Sequence, residues 1–387
     1  MNAYLDNSAT TKPYKEVVDE MVLALTKDFE NPSAAYRRGL EVELKIKKIR
    51  TNIAKTIGAK EKSIIFTSGG TESNNAIIRS VASLNKKRRN HIITSAIEHP
   101  AVLNTVKSLE SDGFEITVLD VDKNGSVDIK QLKNSLNERT CLVSIMFVNN
   151  EIGIVEPIED IGKIIKEYDK EIFFHVDAVQ GYGKLKIDVD KLKVDFLSVS
   201  GHKIHGPKGI GFMYIRDENK FSPLITGGGQ EFNIRPGTEN VPGIFGIGKA
   251  VEILFADLDE NICKMKGVRD YLYNQLKENI DGIHLNTDLN NSVCHVLNVS
   301  FEDIRGEVLL HYLEGDGICV STGSACSSKK KGSHVLNAIG LSPELIDGAI
   351  RFSVSEFTTA KEIDYAVEKI KNYVEIIRLL SKNKKRR

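Results

Sequence analysis

The sequence carries no charge bias: Lys and Arg number 53 over 387 residues, and so do Asp and Glu. That balance excludes a bulk field for nucleic acid or an anionic membrane, so neither is expected as a direct partner, and partners must be selected locally. Long apolar runs are missing too. None approaches the length needed to cross a bilayer, and Met1 to Pro13 (MNAYLDNSATTKP) has neither the basic stretch nor the apolar core of a secretory signal. The expected location is the cytoplasm. Cysteine is scarce, with Cys141, Cys263, Cys294, Cys319 and Cys326 forming an odd set of five without a C-x-x-C pair. A disulfide framework and a structural zinc site are therefore not expected, and no metal is assigned. The sequence also lacks internal repeats, low-complexity segments, a Walker loop and a dinucleotide fingerprint.

What is present is a chain long enough for a large core with a second domain, at a hydrophobic fraction of 41%. Val42, Ile46, Ile49, Ile53 and Ile57 recur at spacings of three and four, which predicts an amphipathic helix. Short β-rich runs follow (SIIFTS at 63, HIITS at 91, EITVL at 115, CLVSIMFV at 141, EIFFHV at 171, VDFLSVS at 194, IGFMYI at 210), separated by segments able to form helices. That rhythm predicts an α/β fold with a mostly parallel sheet flanked by helices. From about Val241 the pattern turns helix-rich, with strands expected at HVLNVSF (295) and ICVST (318), which suits a smaller α+β domain. The expected division is a large domain over 15–257 and a small one made of 1–14 and 258–387. The basic end, Ser381 to Arg387, reads as a solvated terminus.

In open parallel sheets, ligands sit beyond the carboxyl ends of strands, so polar residues just after apolar runs are the candidates. Lys203 lies in SGHKIHGPKGIG, between a strand and a glycine-rich loop. A lysine deprotonated by its surroundings can attack an aldehyde, although a lysine near glycines is by itself commonly a surface residue. Asp177 ends an apolar strand, where a bare carboxylate is costly unless a cation faces it. A protonated pyridine nitrogen is such a cation, and lysine plus an acidic partner is the usual equipment for pyridoxal 5'-phosphate; a helix cap is the plain alternative for Asp177. Ser68 to Glu72 (SGGTE) joins a strand to a helix start, where backbone N–H groups and Thr71 could cradle a phosphate or merely cap the helix.

Together these stretches resemble the NifS/IscS-type cysteine desulfurases, a branch of the class V aminotransferase group of fold-type I pyridoxal-phosphate enzymes. The resemblance covers nearly the whole chain: YLDNSATT at 4, NPSAAYRRG at 31, TSGGTESNN at 67, EHPAV at 98, VNNEIGIV at 148, HVDAVQ at 175, SGHKIHGPKGIG at 200, GGGQEFNIRPGTEN at 227, STGSACSS at 321 and RFSVSEFTT at 351. It implies a fold-type I transferase with Lys203 as the cofactor-bearing lysine and carrier of protons at the substrate α-carbon. Asp177 then partners the ring nitrogen, His99 stacks on the ring, and Gln180 and Asn150 lie near its phenolic oxygen. Gly70, Thr71, Ser200 and His202 correspond to the phosphate cradle, with Thr238 donated by a neighbouring subunit, which implies a homodimer. Arg351, with Asn150, corresponds to the grip on the α-carboxylate of L-cysteine, a task suited to a guanidinium fork.

Cys326 matches the family's nucleophile, which takes sulfur from L-cysteine as a persulfide and leaves L-alanine. Its small polar surroundings do not bury a thiol, and Lys329, Lys330 and Lys331 favour the thiolate if they are more than a solvated run. The other four cysteines are expected to pack in apolar elements. The stretch after Cys326 is more lysine-rich than is common in the family, which leaves the sulfur acceptor open between an iron–sulfur scaffold, a tRNA-thiolating enzyme and another carrier. Selenocysteine lyase shares even Cys326, and another class V aminotransferase would share Lys203, Asp177 and the phosphate ligands without needing a thiol at Cys326. A catalytically idle binding protein would have no reason to keep Lys203, Asp177, Arg351 and Cys326 together.

Overall fold

The structure is a computed structural model that describes residues 1–322 and 332–385. Cys326 and Lys329 to Lys331 lie outside the described residues. The strands, in chain order, are Ala3–Tyr4 (β1), Ile64–Thr67 (β2), His91–Ser95 (β3), Glu115–Leu119 (β4), Thr140–Met146 (β5), Phe173–Asp177 (β6), Phe196–Ser200 (β7), Gly211–Ile215 (β8), Ile283–Leu285 (β9), Val296–Phe301 (β10), Ile318–Cys319 (β11) and Ala349–Ser353 (β12). The helices used below are Lys15–Thr26 (α1), Arg37–Thr56 (α2), Gly70–Asn85 (α3) and Pro100–Ser108 (α4).

Seven strands form the main sheet in the order β2-β8-β7-β6-β5-β3-β4. Every pairing from β7 through β6, β5 and β3 to β4 is parallel, whereas β8 runs antiparallel between β2 and β7. Strands such as β5 and β7 are buried at every position because helices cover both faces; β4, at the edge, is only partly buried. The chain places β4 outside β3 and then returns to lay β5 on the other side of β3. That reversal opens a crevice at the carboxyl ends of β3 and β5, the usual position for a ligand in an open sheet.

The later part of the chain builds a three-stranded antiparallel sheet, β12-β10-β9, and a short parallel pair, β1-β11. ICVST at 318 therefore yields only two strand residues. The helix Leu258–Asn279 packs on β10 of this sheet, and Ala360–Lys385 packs on that helix and on β1. One apolar cluster runs through both sheets, with Val176 and Phe212 at one end and Phe301 and Phe352 at the other. The expected packing role holds for Cys141 and Cys294, whose thiols burial pushes up to about 12 and about 11. It fails for Cys263 and Cys319, which are exposed because one lies on the outer face of its helix and the other on the short β1-β11 pair.

Two of the carboxylates buried in this core, Glu231 and Glu156, are held in different ways. Glu231 receives a two-pronged contact from Arg50, at 2.6 Å for each nitrogen, and the Phe66 N–H at 2.8 Å. This clamp holds Glu231, Phe232 and Asn233 in a left-handed turn, at φ of 45°, 58° and 64°. Glu156 accepts the Val127 N–H at 3.0 Å, and burial pushes its carboxyl up to about 8. The folded protein keeps that proton where an unfolded glutamate, at 4.5, has released it. Stability should therefore fall as pH rises from 4.5 to about 8, by up to about 1.4 kcal/mol per pH unit. Glu156→Gln should flatten this window, so denaturant midpoints for wild type and variant should diverge from pH 5 to pH 8 with the variant more stable at the upper end.

Candidate active site

A cavity of about 1070 Å³ opens at the carboxyl ends of the parallel strands. Gly70, Thr71, His99, Asn150, Asp177, Gln180, Ser200, His202, Lys203 and Arg351 all line it. Thr238 is exposed and lies outside this cavity. Thr322 and Gly332, which bracket the undescribed stretch containing Cys326, both line it.

Lys203 closes a single 3-10 turn, Gly201–Lys203, directly after β7. Its Nζ donates to the carbonyls of Ser8 and Ala9, at 2.5 and 2.9 Å. Asp177 is the last residue of β6 and is 5% exposed. It accepts the Asn74 side-chain N–H at 2.7 Å and the Val179 N–H at 3.0 Å. Asn74 is buried on α3, one turn after Gly70, and orients the carboxylate from behind.

His99 follows β3 and caps α4, where Pro100 occupies the first turn without wasting an N–H. Its Nδ1 accepts the Ala101 N–H at 3.1 Å, so the ring proton belongs on Nε2. Burial lowers its pKa, and Lys203 and His334 add to that while Asp177 opposes it. The result is a neutral ring in the cavity wall.

One end of the cavity is built on the start of α3. Gly69 sits at φ 146°, closed to other residues, and a Cβ added at Gly70 would stand 2.6 Å from Val179 Cγ2. The two glycines let the chain turn tightly into α3, whose first N–H groups have no partner within the helix. Ser200 and His202 approach from the end of β7. Burial, then Lys203 and Lys208, lowers His202 to about 4, leaving a neutral imidazole 3.2 Å from Thr10 Oγ1.

At the opposite end Arg351, on β12, is 6% exposed. Its Nη1 donates to the Asn150 carbonyl at 2.9 Å and its Nη2 to Asp6 at 2.7 Å; Nε makes no hydrogen bond among the described residues. Gln180 donates to the Ser8 carbonyl at 3.0 Å. Reading the sequence alone did not single out Asp6, Ser8, Asn74 or His334, all of which line the cavity. Asn74 did have a visible signal, since it falls four residues after Gly70 on the same helix face.

The donor set fits pyridoxal 5'-phosphate. A lysine amine, a buried carboxylate placed for a cationic ring nitrogen, a neutral imidazole and a glycine-lined helix start face one cavity, with a guanidinium at the far end for a carboxylate.

The sequence pattern of the family described as aminotransferase class-V matches residues 3–366. The chain belongs to this family. Among its relatives, a cysteine desulfurase IscS of Dictyoglomus turgidum is 47% identical over 379 residues, covering 98% of this chain and 96% of its own. A cysteine desulfurase IscS of Methanosarcina thermophila is likewise 47% identical, covering 98% and 93%. Of solved structures, a NifS-like protein superposes with a TM-score of 0.92 at 42% identity, covering 97% of this chain and all of that one. A second, SspA in complex with cysteine, gives 0.83 at 38% identity and covers 92% and 100%.

Proposed function

We propose that this protein is a cysteine desulfurase that converts L-cysteine to L-alanine and holds the released sulfur as a persulfide on Cys326. The observation that carries this reading is one cavity lined by Lys203, Asp177 and Arg351 whose wall also includes Thr322 and Gly332, on either side of the Cys326 segment. The named cysteine desulfurases among the relatives support it.

Pyridoxal 5'-phosphate, when bound, supplies an electron sink for the negative charge left at the substrate α-carbon. Lys203 would carry it, Asp177 would face the ring nitrogen, and His99 would lie on the ring. Gln180 and Asn150 would meet the phenolic side, while Gly70, Thr71, Ser200 and His202 would hold the phosphate. Arg351, with Asn150 beside it, binds and orients the cysteine carboxylate. Lys203 moves the proton between the α-carbon and the enzyme. The Cys326 thiolate then attacks the substrate sulfur: a new S–S bond forms, the substrate C–S bond breaks, and its electron pair stays with the carbon fragment. Protonation of that fragment gives alanine, and the second sulfur waits on Cys326 for an acceptor, such as an iron–sulfur scaffold or a tRNA-thiolating enzyme.

The working unit is a homodimer. Tyr36, Leu40 and Leu44 repeat every fourth residue along the exposed face at the start of α2, and Leu224, Ile225 and Phe232 are exposed near Thr238. Burying these against a second copy would offset their exposure and let Thr238 reach the partner's phosphate end. We assign the large unit to 15–257 and the small one to 1–14 together with 258–387. Among the described residues no helix is long and apolar enough to cross a membrane.

The test is alanine formed per cofactor-loaded site from L-cysteine with a thiol reductant. Repeated turnover supports the reading. A protein that makes no alanine, but whose cofactor absorbance responds to other amino acids, would be an aminotransferase instead. Arg351→Lys should raise KM for L-cysteine roughly tenfold to a hundredfold, since it removes a charge-assisted two-pronged contact of about 1.5–3 kcal/mol. Steady-state kinetics on cysteine checks this.

A further inference from the structure

We propose that Glu356, acting with His205 and Tyr14, is a positioning residue that locks the turn carrying Lys203 against the strand carrying Arg351. The proposal rests on the desulfurase reading above and concerns groups that touch neither substrate nor cofactor.

His205 lies two residues beyond Lys203, is 1% exposed, and holds a left-handed backbone at φ 60°. Such a conformation in a residue other than glycine persists only where its surroundings impose it. They do so here from three sides. The His205 N–H donates to Thr11 Oγ1 at 2.7 Å, its carbonyl accepts the Tyr14 N–H at 3.2 Å, and Nδ1 lies 2.7 Å from the Lys12 carbonyl. A carbonyl only accepts, so Nδ1 carries a proton. The Nε2 edge faces the Glu356 carboxylate at 3.2 Å, off the line of a hydrogen bond.

Glu356, 5% exposed, also accepts the Tyr14 hydroxyl at 2.5 Å. The Tyr14 ring stacks on His205 with centroids 4.7 Å apart, and Phe357 meets the imidazole edge-on at 5.4 Å. Besides Tyr14 and His205, the charged group facing Glu356 is the buried Lys184, which in turn faces Cys294 and His295. Burial alone would raise the Glu356 carboxyl, but His205, Tyr14 and Lys184 together bring it down to about 2, so the carboxylate is charged throughout the working range.

The geometry ties three distant segments into one unit. Tyr14 follows the stretch whose Ser8 and Ala9 carbonyls receive Lys203 Nζ. His205 belongs to the lysine turn, and Glu356 lies five residues after Arg351 on the segment leaving β12. With the carboxylate gone, nothing charged opposes relaxation of the His205 backbone, and Lys203 drifts from those two carbonyls. That drift carries the lysine away from the place where it holds the cofactor and moves the substrate proton.

The experiment compares wild type, Glu356→Gln, Tyr14→Phe, His205→Phe and the double variant Glu356→Gln/His205→Phe. The measurements are kcat and KM per cofactor-loaded site, the pH midpoint of the cofactor's visible absorbance, and the melting temperature. Glu356→Gln keeps the shape and the acceptor for Tyr14, so folding should survive. It should lower kcat about tenfold to a hundredfold, the cost of a small misplacement, with KM for L-cysteine within about twofold. The absorbance midpoint should shift away from the wild-type value, and Tyr14→Phe should move both readouts the same way by less. The double variant should be no worse than Glu356→Gln alone, because the two residues act as a unit. Variants that lose only melting temperature, with kcat per loaded site and the midpoint unchanged, would overturn the proposal. A wild type that makes no alanine would refute the desulfurase reading, while the absorbance midpoint would still decide whether Glu356 positions the lysine.

Discussion

Cys326→Ala should abolish repeated alanine formation, lowering turnover roughly a thousandfold or more, while cofactor binding and its visible absorbance stay as in the wild type. The magnitude follows from the role: with the nucleophile gone, no other group supplies the bond that sulfur must form as it leaves carbon. None of the described cysteines can take over. Cys141 and Cys294 are buried with thiols pushed far up, and neither Cys263 nor Cys319 lines the cavity. Ser321, on the near side of the undescribed stretch, exchanges two backbone hydrogen bonds with Arg351, at 3.1 and 2.7 Å. Beyond it, the Ser333 hydroxyl donates to Glu151 at 2.5 Å and His334 Nε2 to the Glu98 carbonyl at 3.0 Å. The chain thus stands beside Arg351 at Ser321 and beside His99 at His334. After one turnover the wild-type peptide containing Cys326 should be one sulfur heavier by mass spectrometry, and the variant peptide unchanged. Undiminished alanine production by Cys326→Ala would remove the persulfide from the scheme.

Lys203→Ala should lower turnover by about two to four orders of magnitude, the range for loss of a positioned proton carrier. A different signature separates it from Cys326→Ala. Without the amine, the cofactor is no longer held covalently, so borohydride reduction should leave no label on the protein, and added small amines should restore part of the activity. Asp177 and Asn74 remain in place behind the cavity in this variant because their contacts, at 2.7 Å to each other, do not involve the lysine. A variant that still acquires the reduced label elsewhere and turns over normally would show that another lysine carries the cofactor.

Much of this site was legible because open parallel sheets bring strand ends together. Lys203 and Asp177 each follow an apolar run, and neighbouring parallel strands β6 and β7 deliver both to one edge. The glycines at 69 and 70 were legible for a similar local reason, since a strand-to-helix turn this tight excludes a side chain. Arg351 and His99 became candidates through the family resemblance, and the fold then placed them at the same cavity. Asp6 was not legible. Its contact with Arg351 joins residues 345 positions apart and depends on the chain start lying alongside β12. The expected burial of Cys263 and Cys319 failed because apolar neighbours in sequence do not say which face of a helix or short strand meets the core.

Periodicity and strand-end chemistry, which are local properties of the chain, by themselves determined an α/β protein with a lysine and an aspartate at the mouth of its sheet. Only the tertiary structure decided that Asn74 backs Asp177, that Asp6 and Asn150 aim Arg351, and that Tyr14, His205 and Glu356 join in one buried cluster. Each of those contacts links segments far apart in sequence, and its energy exists only once the surrounding core has excluded water, so no local pattern could have signalled it.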